Sequence, residues 1–158
     1  MFRRLALVAA LAAPLAVQAE DAAVFAIYWA NSGSLPPEYA WDVDVTILAD
    51  GKLTLKHCTG YETEGPACKT RKATVTAAQM DAIRAAVVDQ GLDRTPAQQV
   101  DDIPVGGGAS GGVIWLDGQK IELPAYPTEA DTPRVNAVLT AVVAAIPQRL
   151  QDRFLNGN

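Results

Sequence analysis

The chain has 158 residues, 49% of them apolar and 20% charged, with 18 Asp plus Glu against 13 Lys plus Arg and a formal net charge of −5. This composition describes one globular domain rather than a disordered tail, and the acidic balance lacks the basic footprint on which binding to a phosphate backbone rests, so nucleic acid is not an expected partner. One histidine rules out a multi-histidine metal site, and neither a metal nor a cofactor is expected.

Arg3 and Arg4 precede an apolar run from Leu5 to Val17, and Val17-Gln18-Ala19 puts small residues at the −3 and −1 positions. This is the form of a secretory signal peptide cleaved after Ala19. The run is about 13 residues long where a bilayer span needs roughly 20, and no cysteine near the cleavage point invites a lipid anchor. Taking residues 1–19 from 158 leaves 139, and losing two arginines changes the balance to 11 cations against 18 anions, or −7. That length supports one core and leaves no room for a second domain. Residues 20–146 therefore read as a single α+β domain and 147–158 as a C-terminal tail. The mature product is expected to be periplasmic or secreted, with no membrane span.

Val24 to Trp29 is a short run of β-formers ending in Asn31-Ser32-Gly33-Ser34 and Pro36-Pro37, which predicts a first strand. Trp41, Val43, Val45 and Ile47 then alternate with polar residues, the pattern of a strand with one buried face. Ala49-Asp50-Gly51 turns the chain. A two-residue loop would pair Ile47 with Thr54 and mix the faces, whereas a three-residue loop pairs Ile47 with Leu53 and Val45 with Leu55. It also sets Asp44 opposite Lys56 and puts Gly51 where a left-handed residue is needed. The three-residue turn is the expected one, and it places His57 opposite Val43 at the end of the apolar face, as a packed or rim side chain.

Cys58 and Cys68 are the only cysteines. In an oxidising compartment they predict a disulfide, whose loop closure contributes about 3 kcal/mol. A zinc site of His57, Cys58 and Cys68 falls one ligand short, and Cys-x9-Cys is not a redox spacing. Lys69 to Val75 returns as the third strand of a meander, its Lys69, Arg71 and Lys72 reading as a solvated edge. Thr76-Ala77-Ala78-Gln79 is a capping box, with Met80, Ile83 and Val87 at helical spacing and Gly91 as a stop, so a helix is expected over 77–90.

Residues 93–112 then read as a long connection with Pro96, Asp101, Asp102, Pro104 and five glycines from Gly106 onward. Val113 to Leu116, Asp117-Gly118 and Lys120 to Leu123 predict a second hairpin of ambiguous register, because Ile114 and Trp115 are both apolar. Thr132 before Pro133 starts a second helix over 133–146, with Val135, Val138, Leu139, Val142 and Ile146 as its stripe. The tail carries Leu150, Phe154 and Leu155 and reads as a short amphipathic extension or a frayed end. The fold class is a small α+β domain in which a three-stranded meander and a hairpin form an antiparallel sheet against two helices.

Two catalytic motifs match in letters and fail in context. Residues 106–111 satisfy G-x-G-x-x-G, but a strand follows where a dinucleotide site needs a helix. Gly108-Ala109-Ser110-Gly111-Gly112 satisfies G-x-S-x-G, but the hydrolase elbow needs a helix next and a histidine downstream of its serine, whereas His57 lies upstream. No catalytic residue is assigned. A long connection in a small domain is uncommon unless it binds something.

Val43 to Leu55 around Asp50-Gly51, Thr76 to Gln79 with Ile83 and Val87, and Val113 to Leu123 followed by Val135 to Ile146 set an element order that resembles a group of small bacterial domains. The group includes the emfourin-like inhibitors of thermolysin-type metalloproteases, and the order also resembles a family of exported domains of unknown function. The resemblance implies the fold and an inhibitor-like function; it carries over no inhibitory residue. The expected function is thus an exported, non-enzymatic binding protein of protease-inhibitor type, whose partner is another protein in the cell envelope or outside the cell. Its candidate contact residues are Tyr61, Glu62 and Glu64 in the 59–67 loop and Asp101, Asp102, Gly106, Gly107, Gly108 and Ser110 in the 98–112 loop. The alternative is a structural or stress-related envelope domain without a dedicated ligand site, and a small serine hydrolase using Ser110 or His57 comes third.

Overall fold

The computed structural model describes residues 23–61 and 67–155. The proposed signal peptide, its cleavage point after Ala19, Glu62 and Glu64 lie outside the described residues. Six strands and three helices follow in the order β1 Val24–Asn31, β2 Trp41–Leu48, β3 Lys52–Thr59, β4 Ala67–Thr74, α1 Ala77–Asp89, β5 Ala109–Leu116, β6 Gln119–Leu123, α2 Thr132–Ala145 and α3 Gln148–Phe154. The strands form one antiparallel sheet in the order β4-β3-β2-β1-β5-β6. The domain is α+β, and β1 sits in the middle of the sheet, joining the meander to the hairpin.

The β2–β3 hairpin has the three-residue turn, with Ile47 opposite Leu53, Val45 opposite Leu55, Asp44 opposite Lys56 and Val43 opposite His57. Gly51 has φ +82°, and its amide donates to the Leu48 carbonyl. Period-2 alternation then sends Val43, Val45, Ile47, Leu53 and Leu55 to one face, where all are buried. Each such side chain contributes about 1.5–3 kcal/mol by leaving water. The same face receives Ala26, Tyr28 and Ala30 from β1 and Ile114, Ile121 and Leu123 from the second hairpin, all in one cluster with the helices.

α1 begins at its capping box, with the Gln79 amide donating to the Thr76 hydroxyl and the Thr76 amide donating to Gln79 Oε1. Past Gly91, the Leu92 amide donates back to Val87 and its side chain is buried. Met80, Ile83 and Val87 meet Val135, Val138, Leu139 and Val142 of α2. A polar clasp fixes how the helices join. The Asp131 carboxylate accepts from the Gln98 amide and the Thr128 hydroxyl and pairs with Arg134, whose guanidinium also donates to the carbonyls of Gln90, Gly91 and Thr95. Arg134 therefore closes the carbonyl end of α1 from outside.

The structure extends or resolves the sequence reading at four places. β5 begins at Ala109, so Ala109 to Gly112 belong to a strand paired with β1 and not to the preceding connection. Gly111 is needed there because a β-carbon would lie 2.9 Å from the Trp29 indole, which fills the space itself. The hairpin register resolves with Ile114 buried in the core and Trp115 half-buried on the other face. Residues 148–154, within the tail read as a short amphipathic extension or a frayed end, form the helix α3, and its Leu150 and Phe154 are buried in the main core. The domain thus extends past residue 146. β4 likewise starts at Ala67, two residues before the expected Lys69.

Candidate functional site

Strand direction gives the sheet two unlike ends. At one end β2 passes to β3 through residues 49–51 and β5 passes to β6 through Asp117-Gly118. At the other end lie Asn31, Trp41, Thr59, Ala67, Ala109 and Leu123, and there the connections are long: residues 32–40, 60–66, the stretch leading into β5, and residues 124–131. Among the described residues, six large apolar side chains are exposed: Leu35 43%, Tyr39 67%, Tyr61 39%, Ile103 52%, Val105 102% and, on α1, Val88 44%. All but Val88 are in these long connections. Exposed apolar residues scattered singly need no explanation, whereas a collection at one end makes that end the candidate contact surface.

The loop end is braced from within. The Gly33 amide donates to Asn31 Oδ1, the Trp41 amide donates to the Ser32 hydroxyl, and the Ser32 amide donates to the Trp41 carbonyl. These bonds hold residues 32–40 as an arch, and the Gly60 amide donating to Ala40 ties the β3–β4 loop to it. The Tyr61 hydroxyl donates to the Leu35 carbonyl, which joins the two loops by side chain. Gly33 and Gly107 are in backbone contact, so the glycine-rich loop rests on the same arch. Braced loops lose less entropy on binding than free ones, which favours affinity.

Two open depressions of about 540 Å³ each lie on the surface, one beside the arch and the other against β5, β6 and the connections next to them. One is lined by Leu35, Glu38, Tyr39, Trp41, Thr59 and Leu155, the other by Trp29, Gln99, Ile103, Val113, Glu122 and Tyr126. Each offers a half-buried tryptophan and an exposed aliphatic residue, the anchor chemistry of protein contacts. Glu38, Asp101 and Asp102 are exposed around them, so the surface is apolar with an acidic margin.

Of the residues expected from sequence, Tyr61 lies at this end and is shared between two loops. Asp101, Asp102, Gly106, Gly107 and Gly108 lie in the loop preceding β5, all exposed. Ser110 does not. It is inside β5 opposite Ala30, with its side chain beside Tyr28 on the core face, where burial raises the Tyr28 phenol above its ordinary 10.0 and the Ser110 hydroxyl partly offsets this. Leu35, Tyr39, Ile103 and Val105 are contact candidates that the sequence reading missed. Their signal was there: each is apolar, lies within two residues of a proline, and belongs to no periodic stripe.

His57 is buried against Trp41, stacked at 6.5 Å, and Phe154, tilted at 5.3 Å. Its Nε2 has no hydrogen-bond partner among the described residues. Burial lowers its pKa below the ordinary 6.5; Asp42 opposes that shift and Lys69 adds to it. With β2 and β1 between β3 and β5, His57 and Ser110 are three strand spacings apart, roughly 14 Å, and form no nucleophile–base pair. Cys58 and Cys68 form the disulfide, directly opposite each other with a Cα separation of 4.0 Å, clamping the start of the 60–66 loop. No protein-family model matches the chain, and a search of curated proteins finds no match.

Proposed function

We propose that this domain is a non-enzymatic binding protein that works in the periplasm or outside the cell and holds another protein at the loop end of its sheet. The observation that carries this reading is the collection of Leu35, Tyr39, Tyr61, Ile103 and Val105 at one end of the molecule on loops tied to one another. A purely structural envelope domain has no use for that collection, since exposed apolar surface costs solubility. A protease-inhibitor role is the specific form we favour. Val105 projects fully from a loop backed by the Gly33–Gly107 contact, and a single apolar side chain on a supported loop suits a protease specificity pocket. The Cys58–Cys68 bond and the Arg3–Ala19 segment support an oxidising compartment. No helix among the described residues is long and apolar enough to cross a membrane.

The test compares the mature chain with a variant carrying Tyr39→Ser, Ile103→Ser and Val105→Ser. Both are immobilised for capture from an envelope extract and assayed against secreted metalloproteases. Point variants are needed because deleting residues 105–111 would remove the start of β5. Capture or inhibition by the parent that disappears in the folded variant is the expected result; equal capture by both would remove the loop end as the contact surface.

A further inference from the structure

The net charge of the molecule conceals a local segregation. Eleven lysines and arginines lie among the described residues. Five of these are ion-paired with carboxylates, and Lys56 faces Asp44 across the β2–β3 pair. The other five are Lys69, Arg71, Lys72, Arg149 and Arg153. None of them has a carboxylate within ion-pairing distance among the described residues, and all lie on β4 or α3. An acidic protein that pairs its cations elsewhere and leaves these five together has built a positive site.

The site has shape as well as charge. Arg71, Lys72, Arg149 and Arg153 line a cleft of about 190 Å³ between β4 and α3, with Leu150 and Phe154 as its floor. Arg149 and Arg153 are one helical turn apart and therefore share a face of α3. The Arg71 and Arg153 guanidinium groups stand 5.9 and 5.4 Å from the centre of the buried Phe154 ring, which orients both towards the cleft. Arg71 Nη1 also donates to the Thr70 carbonyl at 2.8 Å. That bond occupies an edge carbonyl of β4 and discourages an added strand, so the occupant is a compact group and not an extended peptide.

We propose that the β4–α3 cleft binds a phosphate group. A carboxylate has two oxygens and satisfies one guanidinium fork. A phosphate carries more charge and three or more acceptor oxygens, enough to serve several of the four cations at once. The acidic remainder of the surface repels a long polyanion, which restricts the ligand to a single small group. The phosphate is a terminal one, with three free oxygens, carried by a soluble molecule or by a lipid headgroup that ends in a phosphate monoester, and the chemistry of the cleft is the same for both. The site is independent of the loop end.

The experiment is a titration of the mature chain with inorganic phosphate and with pyrophosphate, followed by amide NMR at constant ionic strength. Saturable shifts confined to residues 69–72 and 149–154 are expected. Arg149→Gln with Arg153→Gln, both at exposed positions, should weaken binding at least about tenfold. Arg149→Gln alone, which leaves both ring contacts intact, should weaken it less and in the same direction. Lys56→Gln with Lys120→Gln removes the same charge elsewhere and should leave the affinity unchanged. Phosphatidic acid vesicles identify the source: sedimentation relieved by pyrophosphate assigns a headgroup, and phosphate binding without sedimentation assigns a soluble ligand. No saturable shift at these residues, equal weakening by the Lys56/Lys120 pair, or sedimentation indifferent to pyrophosphate would overturn the proposal.

Discussion

The two ends of the sheet are made by the same strands and solve the same problem differently. At the turn end the chain reverses in the fewest residues that keep the register, using Gly51 at φ +82° and Asp117-Gly118 at +50° and +81°. At the loop end β1 and β2 are joined by residues 32–40, although β1 and β2 pair as an ordinary antiparallel neighbour pair that a tight turn could connect. The extra chain is not required by topology. It carries Leu35 and Tyr39 into solvent, is held in shape by Asn31, Ser32 and Tyr61, and supports the loop bearing Val105. One end of the domain thus serves the fold, and the other spends residues on a surface the fold does not need.

If the scaffold and the loop end are separate in energy, substitutions should sort by region. The largest loss is expected from Phe154→Ala, which empties a site 3% exposed beneath α3 and beside His57. About 3–5 kcal/mol should be lost in chemical denaturation; a loss below about 1 kcal/mol would return residues 148–154 to the status of a tail. Replacing Cys58 and Cys68 by serine should cost about 3 kcal/mol through the loop they close, with the sheet intact by circular dichroism. Gly51→Ala and Gly106→Ala compare the ends directly, since both backbones have φ near +82°. A methyl group at Gly51 would lie 2.5 Å from the Val75 carbonyl, while one at Gly106 meets nothing within 4 Å. The first should cost at least about 2 kcal/mol and the second about 1.

Smaller effects follow from charge. Burial depresses the folded pKa of His57, so its stabilising contribution is complete above its ordinary 6.5 and is lost as pH falls towards the folded value. His57→Phe should flatten the unfolding midpoint across that window. Asp131 is depressed chiefly by the Gln98 amide, so its contribution is present above the ordinary 3.8 and disappears on further acidification; Asp131→Asn should abolish that lower step. The smallest effect belongs to Val105→Ser, which should change stability by no more than about 0.5 kcal/mol. A larger destabilisation would mean that the loop is part of the scaffold and would blur the contrast between the ends.

Much of the scaffold was legible because its signals are local. Alternation in Val43 to Ile47 and Leu53 to Leu55, read with Gly51, admits one sensible register. Thr76 to Gln79 and Thr132-Pro133 mark helix starts by their own chemistry. The start of β5 was not legible, because Gly111 and Gly112 have no side chains to alternate; the Trp29 indole supplies the missing volume from the neighbouring strand. α3 is too short to be stable by itself, and only the burial of Leu150 and Phe154 under the sheet holds it. At the candidate site, Tyr61 and the 101–108 loop could be read from composition. The arch of residues 32–40 could not, since its role depends on bonds to Trp41, Ala40 and Tyr61 that form only in the folded chain.

The most direct test of the contrast places a photo-crosslinking amino acid, one position at a time, at Tyr39 and Val105 on the loop end and at Lys52 and Asp117 on the turn end. Each variant is expressed from the full sequence in the producing cells, irradiated, and its adducts identified by mass. Adducts to one common protein from Tyr39 and Val105, with none from Lys52 or Asp117, are the predicted result. Equal adducts from both ends, or none from Tyr39 and Val105, would contradict the assignment of the loop end as the binding surface.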